Sequence, residues 1–220
     1  MIKLSASLIK DFLSCPRKVQ FRTSVGEPSK PTIEMLHGTI VHYAIEKAWD
    51  NKSKAFSVMN KECESNGIKP TKAMATCLDN FFLLFSGILS PDDEIEKMFK
   101  FPWKKDIYFQ GKIDRIHNHV VYDWKTGYGE PEDLSRDPQF LIYSLAYRKM
   151  YKREPSSLMY VSLSEGRMYR YVPNSDYTNE FFNEIVPFIV KSMKDGSYPR
   201  LGMFGYRVCD KCIHKKVCLK

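Results

Sequence analysis

Residues Gly111 to Gly127 read GKIDRIHNHVVYDWKTG, and the reading of this stretch decides how the rest of the chain is understood. Its residues alternate in character on either side of a polar tip, as two half-buried strands do. If Asn118 and His119 are a two-residue turn, the antiparallel register sets Ile116 against Val121, Arg115 against Tyr122 and Asp114 against Asp123. Two carboxylates then face each other. Side chains two apart on a strand share a face, so Lys125 stands beside Asp123, while Trp124 and Ile113 are expected together on the other side. Like charges directly opposite destabilise a sheet, and a cation between them removes the penalty.

Working outward, Glu94 to Phe101 and Lys105 to Phe109 read as strands leading into this hairpin. Before them lies a helical region over about 33–90. Its first helix spans about Ile33 to Trp49, with Leu36, Ile40, Ala44 and Ala48 as an apolar stripe and His42 nearby. Two more are expected over Lys54 to Asn66 and Thr71 to Phe85, punctuated by Gly67, Gly87 and Pro91, and Glu27 to Thr32 reads as a loop. At the start, Ser5 or Ser7 caps a short helix carrying Leu8, Ile9, Phe12 and Leu13 that ends at Cys15-Pro16, and Arg17, Lys18 and Arg22 follow as a solvated basic face. After the hairpin, Asp137 caps a helix with Pro138 in its first position, running to Tyr151. A second hairpin joins Ser156 to Leu163 with Arg167 to Val172 across Glu165-Gly166, and a last helix runs from about Asn179 to Lys194, bent at Pro187. Helices mixed with hairpins imply an α/β layer structure.

At 220 residues and 43% hydrophobic content the chain is expected to form one domain, 1–220. The 34 Lys and Arg against 26 Asp and Glu leave a formal charge of +8, which favours a polyanionic partner, nucleic acid or an acidic membrane surface. No apolar run approaches the length of a membrane span and the N-terminus has no signal-peptide core, so a cytoplasmic protein is expected. Of six cysteines, Cys63 and Cys77 fall in helices and read as small buried hydrophobes, whereas Cys209, Cys212 and Cys218 crowd the C-terminus. In a reducing compartment such clustering favours metal ligation. By spacing alone the three could hold zinc with His214 or Cys15 as the fourth ligand, and zinc cannot be told from iron–sulfur by composition.

Two aspartates and a lysine on a strand face suit phosphoryl chemistry with Mg²⁺ or Mn²⁺, which take oxygen ligands and stabilise charge on a scissile phosphate. Lys125 would position water or offset that charge. Alone, the tripeptide Asp123-Trp124-Lys125 reads as a surface ion pair. The wider pattern is more specific: GTIVH ending at His42, GKIDR containing Asp114, DWKTG containing Asp123 and Lys125, and QFLIY from Gln139 to Tyr143 occur in that order. Together they resemble the RecB-like branch of the PD-(D/E)xK nucleases. The resemblance implies a restriction-endonuclease-like core with a mixed central sheet flanked by helices. It implies His42, Asp114, Asp123 and the backbone carbonyl of Trp124 as metal ligands and Lys125 as catalytic. It further implies that Gln139 reaches the active site and Tyr143 a base or phosphate. Arg115 and Arg148 are candidate phosphate contacts, and Glu46, Glu94 or Glu96 is a candidate further carboxylate.

One N-terminal cysteine and a terminal Cys-x2-Cys-x5-Cys bracketing such a core also resemble the iron–sulfur nucleases of the AddB subunit and of CRISPR systems. That likeness implies a [4Fe–4S] cluster on Cys15, Cys209, Cys212 and Cys218, clamping residues 1–22 to 200–220. Lys211, Lys215, Lys216 and Lys220 lie around it and would suit a nucleic-acid backbone. The expected activity is a Mg²⁺- or Mn²⁺-dependent DNA exonuclease acting on single strands or free ends, with endonuclease activity left open, in repair or recombination, CRISPR adaptation or a mobile element, with a helicase or CRISPR adaptation proteins as partners. The rival readings are an inactive nuclease-like DNA-binding subunit of a larger assembly and a zinc-stabilised nucleic-acid-binding protein.

Overall fold

Strand β3 (Ile107–His117) is the spine of a six-stranded mixed sheet. One edge pairs antiparallel with β2 (Glu94–Lys104) from Ile107↔Lys104 to Ile116↔Glu94. The other edge is divided between two strands. There β1 (Ile2–Leu4) runs parallel to Ile107–Phe109, and β4 (Val120–Lys125) runs antiparallel to Arg115–His117. The sheet continues through β5 (Ser157–Ser162), parallel to β4, and β6 (Arg167–Tyr171), antiparallel to β5. The computed structural model describes residues 1–24, 31–127, 134–171, 174–200, 209, 210 and 212–218. Most of the expected loop at Glu27 to Thr32, and Val172, Lys211 and Lys220, lie outside the described residues.

The hairpin turn is Asn118-His119, as expected, and both residues have positive φ, 45° and 67°. That pair of left-handed conformations is the type I′ turn, whose twist matches the strands it joins. Ile116↔Val121 and Arg115↔Tyr122 follow. The third expected pair, Asp114 with Asp123, does not form. The ladder stops at Arg115↔Tyr122 because Asp114 uses its own carboxylate there, Oδ2 accepting from the backbone N–H of Trp124 at 2.7 Å. Beyond that bond, the stretch of β3 between Phe109 and Arg115 has no strand neighbour on this edge among the described residues. The two strands therefore fork. Ile113 and Trp124, expected on one face, part company across the sheet for the same reason.

Helices cover both faces. On one side α3 (Ile33–Ala48), α4 (Lys52–Ser65) and α5 (Lys72–Phe85) bury Ile40, Ala44, Phe81 and Phe85 against Tyr122, Trp124, Val161 and Leu163. On the other, α1 (Ala6–Ser14), α6 (Pro138–Tyr151) and α8 (Val186–Lys194) pack on Phe109, Ile113, Val121 and Leu158. At roughly 25 cal/mol per Å² of apolar surface, these two cores are the main source of stability. Asp137 caps α6 as expected, its Oδ1 accepting from Gln139 N–H at 2.8 Å. The basic run after Cys15 is a helix, α2 (Pro16–Ser24), with Val19 buried beneath it. The last helical stretch begins earlier than expected, with α7 (Ser175–Glu180), and widens into a π-helical turn at Phe181–Ile185 before Pro187. Proline cannot donate to the carbonyl a turn behind it, and the wider turn accommodates that loss. A final short helix, α9, spans Lys215–Cys218. No helix among the described residues is long and apolar enough to cross a membrane.

Candidate active site

The fork leaves carboxylates where strand pairing would otherwise continue. His42 on α3, Glu96 on β2 and Asp114 on β3 each offer a ligand atom, and the three atoms lie within 4.8 Å of one another. His42 Nδ1 is 3.5 Å from Asp114 Oδ1. Glu96 falls between the pairs Ile95↔Arg115 and Lys97↔Ile113, across from Asp114, and its φ of 52° is left-handed. Such local irregularity re-aims a strand side chain. The opposed carboxylates therefore exist, but across the β2 edge of β3. Lys112 contacts Glu96 Oε2. Burial pushes the Asp114 carboxyl up, yet His42, the Trp124 amide and Lys125 outweigh it and hold its pKa below the usual aspartate range. His42 and Glu96 of this group line a cleft of about 410 Å³, walled also by Gly38, Thr39, Tyr43, Glu46 and Thr126.

On the α6 side of β4, Asp123 is buried and bound at both oxygens. Lys125 Nζ lies 2.6 Å from Oδ2, and Gln139 Nε2 donates to Oδ1 at 2.7 Å. Burial, with Asp114 nearby, raises the Asp123 pKa despite Lys125. Burial opposes the Lys125 ammonium, but Asp123 beside it, with Asp114 and Asp137, outweighs that and raises its pKa, so it stays protonated. Gln139 Nε2 also donates to the Tyr143 hydroxyl at 2.8 Å, and that hydroxyl donates to the Lys112 carbonyl at 2.7 Å. Tyr143 thus satisfies a carbonyl in the forked stretch of β3. It is 5% exposed and supports Gln139 from behind, not the surface position that a contact with base or phosphate requires.

The family described as "PD-(D/E)XK nuclease superfamily" matches residues 3–219. The chain belongs to the PD-(D/E)XK nuclease superfamily. Nucleases of this superfamily depend on divalent metals, and His42, Glu96 and Asp114 supply the donor types that Mg²⁺ and Mn²⁺ accept. A solved structure titled "Crystal structure of SSO0001" is similar at 16% identity, covering 99% of this chain and 86% of that one, with a TM-score of 0.44. No curated protein matches.

Other expectations for this PD-(D/E)XK chain resolve residue by residue. Of the three candidate glutamates, Glu96 joins the group, Glu46 lines the cleft beside Lys47, and Glu94 is taken by Tyr151 and Lys97. Arg115 is corrected outright: it is 1% exposed and bonded to Asp93, so no phosphate reaches it. Arg148 is at the surface, paired with Glu154 at 3.0 Å. Cys15, Cys209, Cys212 and Cys218 line one small cavity with His214, Arg200 and Phe21, and the Arg200 guanidinium donates to the Cys218 carbonyl at 2.9 Å. Lys215 pairs with Asp210 at 3.0 Å. One active-site neighbour had no signal in the sequence: Lys10 on α1, whose Nζ lies 2.8 Å from Asp137 Oδ1 and 3.3 Å from Gln139 Oε1.

Proposed function

We propose that this chain is a Mg²⁺- or Mn²⁺-dependent deoxyribonuclease, an exonuclease taking single-stranded DNA or DNA ends. The observation that carries the reading is the meeting of His42, Glu96 and Asp114 at the mouth of the fork, beside the Asp123–Lys125–Gln139 network. His42, Glu96, Asp114 and Asp123 would hold the ion, with the Trp124 carbonyl as a further ligand. When bound, it would supply positive charge at the scissile phosphate and acidify a water. Lys125, kept protonated by Asp123, steadies the attacking water and offsets the negative charge that develops on phosphorus-bound oxygen. The water oxygen bonds to phosphorus as the bond to the leaving sugar oxygen breaks, the water's proton passing to solvent and the leaving oxygen taking one up from it. Gln139 fixes the rotamer of Asp123, and Tyr143 fixes Gln139.

The second part of the proposal is a [4Fe–4S] cluster on Cys15, Cys209, Cys212 and Cys218, joining residues 1–22 to 200–220 in a single nuclease domain. All four thiols line one cavity, which supports it. Bringing residues so distant in sequence together removes unfolded-state entropy, and its role is structural. The setting that fits is DNA repair or recombination, CRISPR adaptation or a mobile element, beside a helicase or CRISPR adaptation proteins.

Labelled single-stranded, duplex and end-blocked DNA incubated with each metal tests the reading. Metal-dependent loss of nucleotides from free ends, abolished by Asp114→Ala and by Lys125→Ala, is expected. Cleavage that survives both substitutions would falsify it. Iron and acid-labile sulfide in the purified chain test the cluster, and a colourless protein with stoichiometric zinc reverses that part.

A further inference from the structure

Gln139 is held from a place the nuclease motifs do not cover. Gln139 Oε1 accepts from two ammonium groups, Lys125 Nζ at 3.2 Å and Lys10 Nζ at 3.3 Å. An ammonium is a donor only, so two of them at one amide oxygen settle which end of the amide is which. The nitrogen then must face Asp123 and Tyr143, where it donates at 2.7 and 2.8 Å. Lys10 is also anchored by both oxygens of Asp137, at 2.8 and 2.9 Å, and Asp137 is the N-cap of the helix that carries Gln139. One side chain therefore ties α1 to the cap, the glutamine and, through the glutamine, the Asp123 carboxylate. Cys15 caps the C-terminus of the same α1, so the seating of this helix is shared between the cysteine corner and the active site.

We infer that Lys10 is a positioning residue for the phosphodiester hydrolysis: it locks the amide orientation of Gln139 and so the rotamer of Asp123. The inference rests on the nuclease reading above. An exposed ion pair contributes little to stability, and Lys10 is 38% exposed, so a purely structural pair would leave turnover alone. Residues that orient a metal site's own residues change activity about 10- to 100-fold when removed.

The test is a cycle of Lys10→Ala, Gln139→Ala and the double variant, with kcat and KM measured on the same DNA and folding checked by thermal melting. Lys10→Ala should lower kcat about tenfold at unchanged KM and nearly unchanged melting temperature, with Lys10→Arg recovering part of the loss. In the Gln139→Ala background the same change should cost nothing further. A full Lys10→Ala defect in that background would mean that Lys10 acts on the substrate directly, and a wild-type kcat in the single variant would mean that it does not act; either overturns the inference. A readout independent of turnover is the Gln139 side-chain amide in ¹H–¹⁵N spectra. Lys10→Ala should shift and broaden that pair, and unchanged resonances overturn the inference even if the wild type cleaves nothing. Absence of cleavage by the wild type would count against the nuclease reading alone.

Discussion

Asp114 and Arg115 are neighbours on β3, and the charge clusters they belong to are settled in opposite ways. Arg115 is closed in. Its Nε donates to Asp93 Oδ2 at 2.7 Å, its Nη2 to the Ser90 carbonyl at 2.8 Å, and the Trp49 ring lies 4.2 Å from the guanidinium carbon. The other oxygen of Asp93 meets His117 Nδ1 at 2.6 Å. Asp114 instead meets Glu96 and His42 beside a cleft, with Lys112 against Glu96 and the buried Asp123–Lys125 pair close behind. A cluster whose partners are all supplied by the chain holds the sheet together. A cluster of acids and a histidine that could share one ion beside a cleft is the one suited to a bound cation.

The largest effect should come from breaking the closed cluster. Arg115→Ala leaves Asp93 buried without its guanidinium, a change that costs about 3–5 kcal/mol in such pairs. Urea unfolding should show that loss, while the molecules that remain folded still cut DNA. A stable but inactive Arg115→Ala would erase the distinction between the two clusters.

Next in size is the opposite substitution. Lys125→Ala should reduce kcat about 10²- to 10³-fold. Its melting temperature should move little, since burial already raises the Asp123 pKa and the carboxyl takes up a proton when the ammonium is gone. A collapse in stability would place Lys125 with Arg115 as a structural ion.

Metal binding gives a smaller and more selective signal. Mn²⁺ at a hundred times its Kd should stabilise the protein by about 2.7 kcal/mol. Arg115→Ala should keep that increment and Asp114→Asn should lose it. Equal stabilisation of both variants would put the ion elsewhere.

Acid separates the clusters further. Burial raises the Asp93 pKa, but the Ser90 amide, His117 and Arg115 outweigh it and hold it below the ordinary aspartate range. A carboxyl with a lowered folded pKa contributes stability above its unfolded pKa and loses it as the pH falls through the folded value. Asp93→Asn should therefore be less stable than the wild type at neutral pH, with the gap narrowing in acid. An undiminished gap would mean that shape, not charge, makes Asp93 matter.

The two clusters were unequally legible. Local chemistry announced the hairpin: Asn118 and His119 tolerate positive φ, and the period of two fixed Arg115↔Tyr122. Asp137 and Pro138 announced α6 in the same way. The fork was not legible, because it arises where β1 and β4 share an edge of β3, and β1 is too short for a pattern of three residues to show. Glu96 was hidden among neighbouring glutamates until its left-handed backbone selected it. Arg115 looked like a phosphate ligand because nothing in sequence separates it from Asp93 as a partner. Lys10 depends on where α1 docks, a tertiary fact.

The smallest expected stability effect carries a functional one. At Gly38, in the helix that bears His42 one turn later, a Cβ would lie 2.9 Å from Thr126 Oγ1. The contact is with a side chain at the end of β4, so it can be relieved by moving either Thr126 or the helix. Alanine also favours the helix by about 1 kcal/mol over glycine, which offsets the crowding. Gly38→Ala should therefore melt close to the wild type. A shift of α3 by a few tenths of an ångström is small for the core but not for His42, whose Nδ1 sits 3.5 Å from Asp114. Mn²⁺ affinity and kcat should both fall, about tenfold. Adding Thr126→Ala removes the obstructing oxygen and should restore them in the double variant. If Gly38→Ala loses stability while keeping its affinity for the metal, the glycine serves the closed packing of α3 on the sheet and not the open cluster at its edge.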